Sequence, residues 1–176
     1  LLLLVSPFVL GQSVKGKKGS FAVDNVNEII IWHESNLDSL HKAKLGLKKL
    51  RFGKIFQLTG SPSQLSYFKK FEVQRKKKAY TMYVTKLPLI QVQINTDINK
   101  NTKVPSRLTY FNKNKLVKTI VGIEYRGNLS LTFPKKSKDL EFWTDSLSKD
   151  SRDFTFKSLR NDDDWILDGL YNEPLR

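Results

Sequence analysis

Ile90, Val92 and Ile94 alternate with Gln91, Gln93 and Asn95. A repeat of two places successive side chains on opposite faces of a pleated strand, so this segment reads as a strand with one buried face. Residues 80–85 alternate in the same way before Pro88 interrupts the ladder. Residues 107–111 and 116–125 flank Asn112-Lys113-Asn114, a spacer of turn-forming residues, and together they predict a β-hairpin. Residues 20–23 and 28–32 predict another around Asp24-Asn25, and residues 54–58 and 71–73 read as further strands, the second feeding a charged turn over 75–78. Residues 36–50 fit two templates. Leu37, Leu40 and Lys44 behind a capping Asn36 describe a helix, whereas Gly46 and the alternation of Leu45 and Leu47 favour strand beyond it. Residues 15–19 read as a flexible basic linker and residues 96–103 as a polar loop. The stretch after Lys136 reads as a mixed-charge segment leading to an acidic turn over 161–164 and an apolar run over 165–167. The expected fold is α+β and strand-rich, with a β-rich accessory unit over 14–79, a second unit over 80–176, and a boundary near 76–86.

Composition narrows the chemistry. The 176 residues include 31 Lys plus Arg and 17 Asp plus Glu, a net charge of +14, with 39% hydrophobic residues. That is enough for a sizeable core and argues against a disordered or polytopic membrane chain. There is no cysteine, so disulfides, thiolate metal sites and cysteine nucleophiles are excluded within these residues. With His33 and His41 the only histidines, a serine–histidine triad or a multi-histidine metal centre is poorly provided for. Residues 1–10 are almost wholly apolar and run into Gly11-Gln12-Ser13. A span needs about twenty such residues, so no membrane span is expected; the run matches the apolar and cleavage regions of a secretory signal peptide. Residues 1–13 are therefore read as a signal-peptide remnant, which places the mature protein in a secreted or cell-surface setting.

Positive charge gathers at Lys42, Lys44, Lys48, Lys49, Arg51 and Lys54, and again at Lys69, Lys70 and residues 75–78. Such clusters suit polyanions. Their lysine dominance and the spacing of the neighbouring aromatics match no nucleic-acid recognition motif, and lysine-protected strand edges are the simpler reading, so no nucleic-acid partner is expected.

The segment from Glu124 to Lys138 carries the most chemistry. A strand ends in Arg126-Gly127-Asn128, followed by Ser130, Phe133, Pro134, Lys135 and Lys136. Glycine after a strand lets backbone amides approach an anion, Asn128 and Ser130 supply hydrogen bonds, and a lysine supplies a point charge for phosphate. Taken locally, a polar turn with exposed lysines is the better reading, because neither the Walker nor the protein-kinase glycine spacing is present. Asn128-Leu129-Ser130 also fits the acceptor pattern for N-glycosylation, and a glycan there would block the turn.

The wider order is Leu87-Pro88-Leu89-Ile90, a polar loop near Asp97, the hairpin, Arg126-Gly127-Asn128-Leu129-Ser130, Phe133-Pro134-Lys135-Lys136 and Asp163-Asp164-Trp165-Ile166-Leu167. This order resembles the CotH family, the spore-coat-protein-H-like atypical kinases, over roughly residues 80–176. The resemblance implies the first part of a kinase-like domain that binds ATP with a divalent cation, Mg or Mn. Its parent would transfer the terminal phosphate to serine or threonine of a secreted or surface protein. Arg126, Gly127, Asn128 and Ser130 would then form the turn beside the nucleotide, Lys135 would contact phosphate with Lys136 as its alternate, and Trp165 and Leu167 would be core. Leu129 stands where the family often has a second hydroxyl. The family's catalytic and metal-binding carboxylates are expected beyond Arg176, so no catalytic residue is assigned here and the fragment alone is expected to be inactive. Asp162, Asp163, Asp164 and Asp168 read as a solvated turn rather than a metal site. The rival readings are a non-catalytic surface structural or adhesion protein of the same fold, and a polyanion-binding module.

Overall fold

A computed structural model describes residues 12–38, 47–147 and 149–169. The chain divides into two compact units: one takes in residues up to Leu89 with Phe111–Lys115, the other Ile90–Tyr110 and the chain from Leu116 on. The division falls just past the 76–86 segment, because the strand running through that segment is an interior member of the first sheet.

The first unit is built on β1 (Gln12–Lys15), β2 (Phe21–Asp24), β3 (Ile29–His33), β4 (Leu47–Phe52), β5 (Lys54–Leu58), β6 (Lys70–Arg75) and β7 (Lys78–Thr85). They form one sheet in the order β1-β4-β5-β6-β7-β3-β2, with β1–β4 and β3–β7 parallel. Period-two burial follows the register: Ile30 pairs Met82 and Trp32 pairs Val84, and all four are buried, while Ile31 and Tyr83 between them face out. The sheet curls. Phe21 on the edge strand β2 and Phe52 on β4, at the other end of the strand order, have ring centroids 5.1 Å apart, and Trp32 lies 5.4 Å from Phe52. Gly16 makes that closure possible, since an added Cβ would lie 2.8 Å from both the Phe21 and Phe52 rings.

The second unit is built on β8 (Leu89–Gln93), β9 (Val104–Asn112), β10 (Lys115–Tyr125), β11 (Lys138–Trp143), β12 (Phe154–Thr155), β13 (Asn161–Asp162) and β14 (Asp164–Leu167). Five of these form a sheet in the order β14-β11-β10-β9-β8, and β12 pairs with β13. Leu108, Tyr110, Val121, Ile123, Leu140 and Phe142 line its buried face, closed over by Phe154, Phe156 and Trp165. Phe142 stacks on Phe154 at 4.3 Å, and Phe156 meets Trp165 edge-on at 5.0 Å.

The two expected hairpins and the strands over 54–58, 71–73 and 80–85 are present. The α+β expectation is corrected: the described residues are nearly all-β, and their named helical elements are the 3-10 turns Pro62–Gln64 and Leu129–Thr132. Of residues 36–50, a helical turn is seen at Leu37 and Asp38 and strand from Leu47, while 39–46 lie outside the described residues. Of the signal-peptide reading over residues 1–13, residues 1–11 fall outside the described residues, and Gln12 and Ser13 open β1. Residues 15–19 are not a flexible linker: Lys15 ends β1, the Gly16 amide donates to the Arg51 carbonyl at 3.0 Å, and the Ser20 amide closes the turn onto Lys17. Ile90 is 41% exposed because β8 is an edge strand whose Val92, not Ile90, meets the core. The mixed-charge segment after Lys136 contains β11, an interior strand of the sheet. Among the described residues no helix is long and apolar enough to cross a membrane.

Candidate functional site

β10 and β11 are antiparallel neighbours, with Tyr125 paired to Lys138. The chain between them, residues 126–137, is therefore a loop with its ends together, closed by the Arg126 amide donating to the Ser137 carbonyl at 3.0 Å. The Arg126-Gly127-Asn128 turn leaves the end of β10, and Lys135 and Lys136 approach the start of β11. The two ends of the segment read in sequence are the two limbs of one loop.

Each limb is pinned. Gly127 has φ +86°, the left-handed conformation that glycine adopts without a Cβ penalty, and this turns the chain away from β10. Arg126 donates to the Asp139 carboxylate at 2.7 Å, and that hydrogen bond and charge hold its guanidinium more firmly protonated. Asn128 accepts a hydrogen bond from the Lys100 ammonium, and its carbonyl accepts from the Leu131 amide at 3.2 Å. Ser130 lies within the 3-10 turn Leu129–Thr132. On the other limb, the Ser137 hydroxyl donates to Asp168 at 2.8 Å and accepts from the Gly169 amide at 2.9 Å. A Cβ at Gly169 would lie 2.4 Å from the Lys135 carbonyl oxygen, so the segment after β14 presses directly on the lysine limb.

The cations crowd one another. Lys136 Nζ stands 4.9 Å and Lys138 Nζ 5.7 Å from the Tyr125 ring centroid, both within cation–π range. Lys138 also donates to the Lys136 carbonyl at 3.1 Å. Burial pushes the Lys138 ammonium below the ordinary lysine value, and the positive charges of Lys135 and Lys136 push it further. Lys135 itself is exposed. Lys100 and Lys138 belong to this cluster and were not singled out in sequence. Lys138 was visible as the third lysine of its run, whereas Lys100 reaches Asn128 only because the Tyr125 amide donates to the Asn99 carbonyl at 2.8 Å, bringing that loop beside β10.

Arg126 also lines a concavity of about 360 Å³ with Lys103, Asp139, Arg160, Asp164 and Trp165. Lys135 is not among those walls, so the structure joins Lys135 to Gly127 through the loop rather than across that hollow. Of the cations around the loop, Arg126 is paired with Asp139, while Lys136 and Lys138 stand over the Tyr125 ring. A divalent metal does not fit the described residues. Asp162 pairs with Arg160 at 2.9 Å, Asp164 with Lys103 at 3.2 Å, and Asp168 takes the Ser137 hydroxyl. The Asp163 carboxyl is lowered chiefly by a hydrogen bond from Ser151. Among the described residues no three metal-capable side chains converge. Comparison with known proteins finds no family model that matches the chain, and no matching curated protein or solved structure.

Proposed function

We propose that this chain is the N-terminal part of an exported, CotH-like atypical kinase whose residues 80–176 open the kinase-like domain. In its parent protein the loop over 126–137 receives the phosphates of ATP. The supporting observation is the closure of that loop. It carries the Arg126-Gly127-Asn128 turn and the Lys135-Lys136 pair on adjoining limbs, beside a Lys138 whose proton is loosened first by burial and then by the charges of Lys135 and Lys136. An anion resting there relieves the crowding, and a triphosphate is the anion a phosphoryl-transfer enzyme must position and neutralise. Lys135 supplies a mobile charge, Lys136 is its alternate, and Asn128 and the Gly127 region supply hydrogen bonds. The acceptor is a serine or threonine hydroxyl of a secreted or surface protein. Metal chemistry and proton removal belong to residues outside those described.

The test uses purified full-length protein with labelled ATP and magnesium or manganese. Incorporation into protein is expected, and Lys135→Ala combined with Lys136→Ala is expected to lower it by about tenfold or more, the scale for losing charge stabilisation of a transferring phosphoryl group. Undiminished incorporation in that double variant rejects the loop as the phosphate site. Absence of incorporation with ATP still bound selects the non-catalytic surface protein of the same fold.

A further inference from the structure

The first unit holds a buried histidine that the proposed kinase site does not use. His33 ends β3, is 8% exposed, and has its Nδ1 2.8 Å from the Leu87 carbonyl oxygen. A carbonyl only accepts, so Nδ1 carries a proton and Nε2 is the ring's remaining polar atom. The ring is steadied by the edge of Phe111, 5.3 Å away, and by the parallel register that sets His33 beside Thr85. It forms part of the wall of a cavity of about 80 Å³ that Lys15, Lys17, Ser20 and Glu34 also line. A cavity on that scale takes a few waters or one small ion, not a nucleotide or a sugar.

Charge decides which ion. Two lysines, Lys15 and Lys17, and one acidic residue, Glu34, line the cavity. Lys17 Nζ is tethered to Asn114 Oδ1 at 3.0 Å, and the Ser20 hydroxyl donates to the Lys17 carbonyl at 2.8 Å, fixing the turn that carries Lys17. Glu34 Oε1 accepts from the Asn36 amide at 3.1 Å, which draws that carboxylate toward its own turn. A lining with two lysines and one acidic residue disfavours a metal ion.

We propose that this cavity binds a small tetrahedral oxyanion, sulfate or a phosphate group. His33 holds it in the doubly protonated form, with Nδ1–H on the Leu87 carbonyl and Nε2–H on the anion, while Lys15 and Lys17 balance its charge. The anion favours the form of the ring with a proton on Nε2, so affinity rises as pH falls. The titratable residues that line the cavity with the ring are Lys15 at the end of β1, Lys17 from the β1–β2 turn and Glu34 just after β3. The end of β7 and the hairpin tip contribute Thr85, Phe111 and Asn114, which carry no charge.

The test is a titration of the isotopically labelled chain with sodium sulfate at constant ionic strength, with chloride as reference, following the His33 ring resonances. A saturable shift is expected, with affinity about tenfold higher near pH 6 than near pH 8. His33→Gln is expected to remove that pH dependence, and Lys17→Ala, a change on an exposed turn, to weaken binding about threefold or more. Should His33→Gln fail to fold, the pH dependence of the unaltered chain and the Lys17→Ala result decide. Inorganic phosphate and phosphoserine are then compared: a response to both assigns the pocket to the phosphate group of a larger molecule, and a response to the inorganic ion alone assigns it to free oxyanion. Shifts no larger than chloride gives, sulfate binding indifferent to pH and to both variants, or a His33 response to zinc and not to sulfate overturns the proposal.

Discussion

An added methyl at Gly122 would sit 2.1 Å from Cζ2 of Trp143. Gly122 lies on β10 opposite Glu141, and the Trp143 indole, 2% exposed, covers the space its side chain would occupy. Alanine ordinarily improves a strand interior by about 0.5–1 kcal/mol over glycine. Here overpacking reverses the sign, and Gly122→Ala is expected to cost about 1–3 kcal/mol, read as a lowered urea midpoint. Adding Trp143→Leu should recover part of that loss, since the two residues share one space; strictly additive costs would mean that the indole is not what excludes the methyl. Lys138 makes a second residue-scale case. The folded chain holds its proton less tightly than the unfolded chain does. Its contribution is therefore least favourable while it is charged, and stability should rise as pH climbs from its lowered value toward the ordinary lysine range. Replacing both Lys135 and Lys136 with Gln removes two of the three causes, so Lys138 should titrate higher, with burial still holding it below ordinary lysine. The ε-methylene chemical shift across the alkaline range reads this directly, and an unmoved titration would show that the three ammonium groups do not share a field.

At the scale of elements, the β9–β10 hairpin turns through Lys113 at φ +45° and Asn114 at φ +68°. Two central residues with positive φ are what a type I′ turn requires, and asparagine tolerates that region better than lysine. Lys113→Asn should stabilise the protein by about 0.5–1 kcal/mol, with Asn114 retained because it accepts from Lys17; an unchanged or lower thermal midpoint would reject the turn assignment. This hairpin was legible in sequence because turn formers and period-two alternation coincide within one short window. β11 was not, although Leu140 and Phe142 alternate with Asp139 and Glu141 in the same period. Its charges disguised it. Asp139 is paired by Arg126, 13 residues away, and Glu141 by Lys103, 38 residues away, so charges that read as a solvated segment are the outer face of an interior strand. The candidate site divides similarly. Arg126, Gly127, Lys135 and Lys136 are visible as residue types in a suggestive order. Their meeting as two limbs of a loop depends on the β10–β11 register, and Lys100 reaches Asn128 across 28 residues of sequence. The parallel pairings β1–β4 and β3–β7 are beyond any local pattern for the same reason.

For the molecule as a whole, strand periodicity settles the fold class and net charge sets how the folded chain responds to its solvent. Both units fold as sheets with one densely aromatic core each; the chain's net charge is +14, and among the described residues no lysine, arginine or carboxylate is buried. Compaction brings like charges together, and self-repulsion of this kind opposes folding. The opposing term is small: Lys78–Glu28 and Arg160–Asp162 are surface pairs with Lys78 47% and Arg160 70% exposed, and such pairs contribute about 0–1 kcal/mol each. Lys103, 23% exposed and bonded to Glu141 and Asp164, is the better-sheltered pair and the least open to screening. Raising sodium chloride from about 10 mM to about 150 mM shortens the screening length from about 30 Å to about 8 Å, which weakens repulsion spread over the surface far more than contacts at hydrogen-bond distance. The thermal midpoint should therefore rise with added chloride. Chloride is the appropriate salt, because sulfate would add site binding at His33 to the screening effect. A midpoint that fell over this interval would mean that local ion pairs outweigh the excess of lysine, and the cationic crowding around Lys138 would then have to be compensated by neighbours rather than left for an anion to relieve.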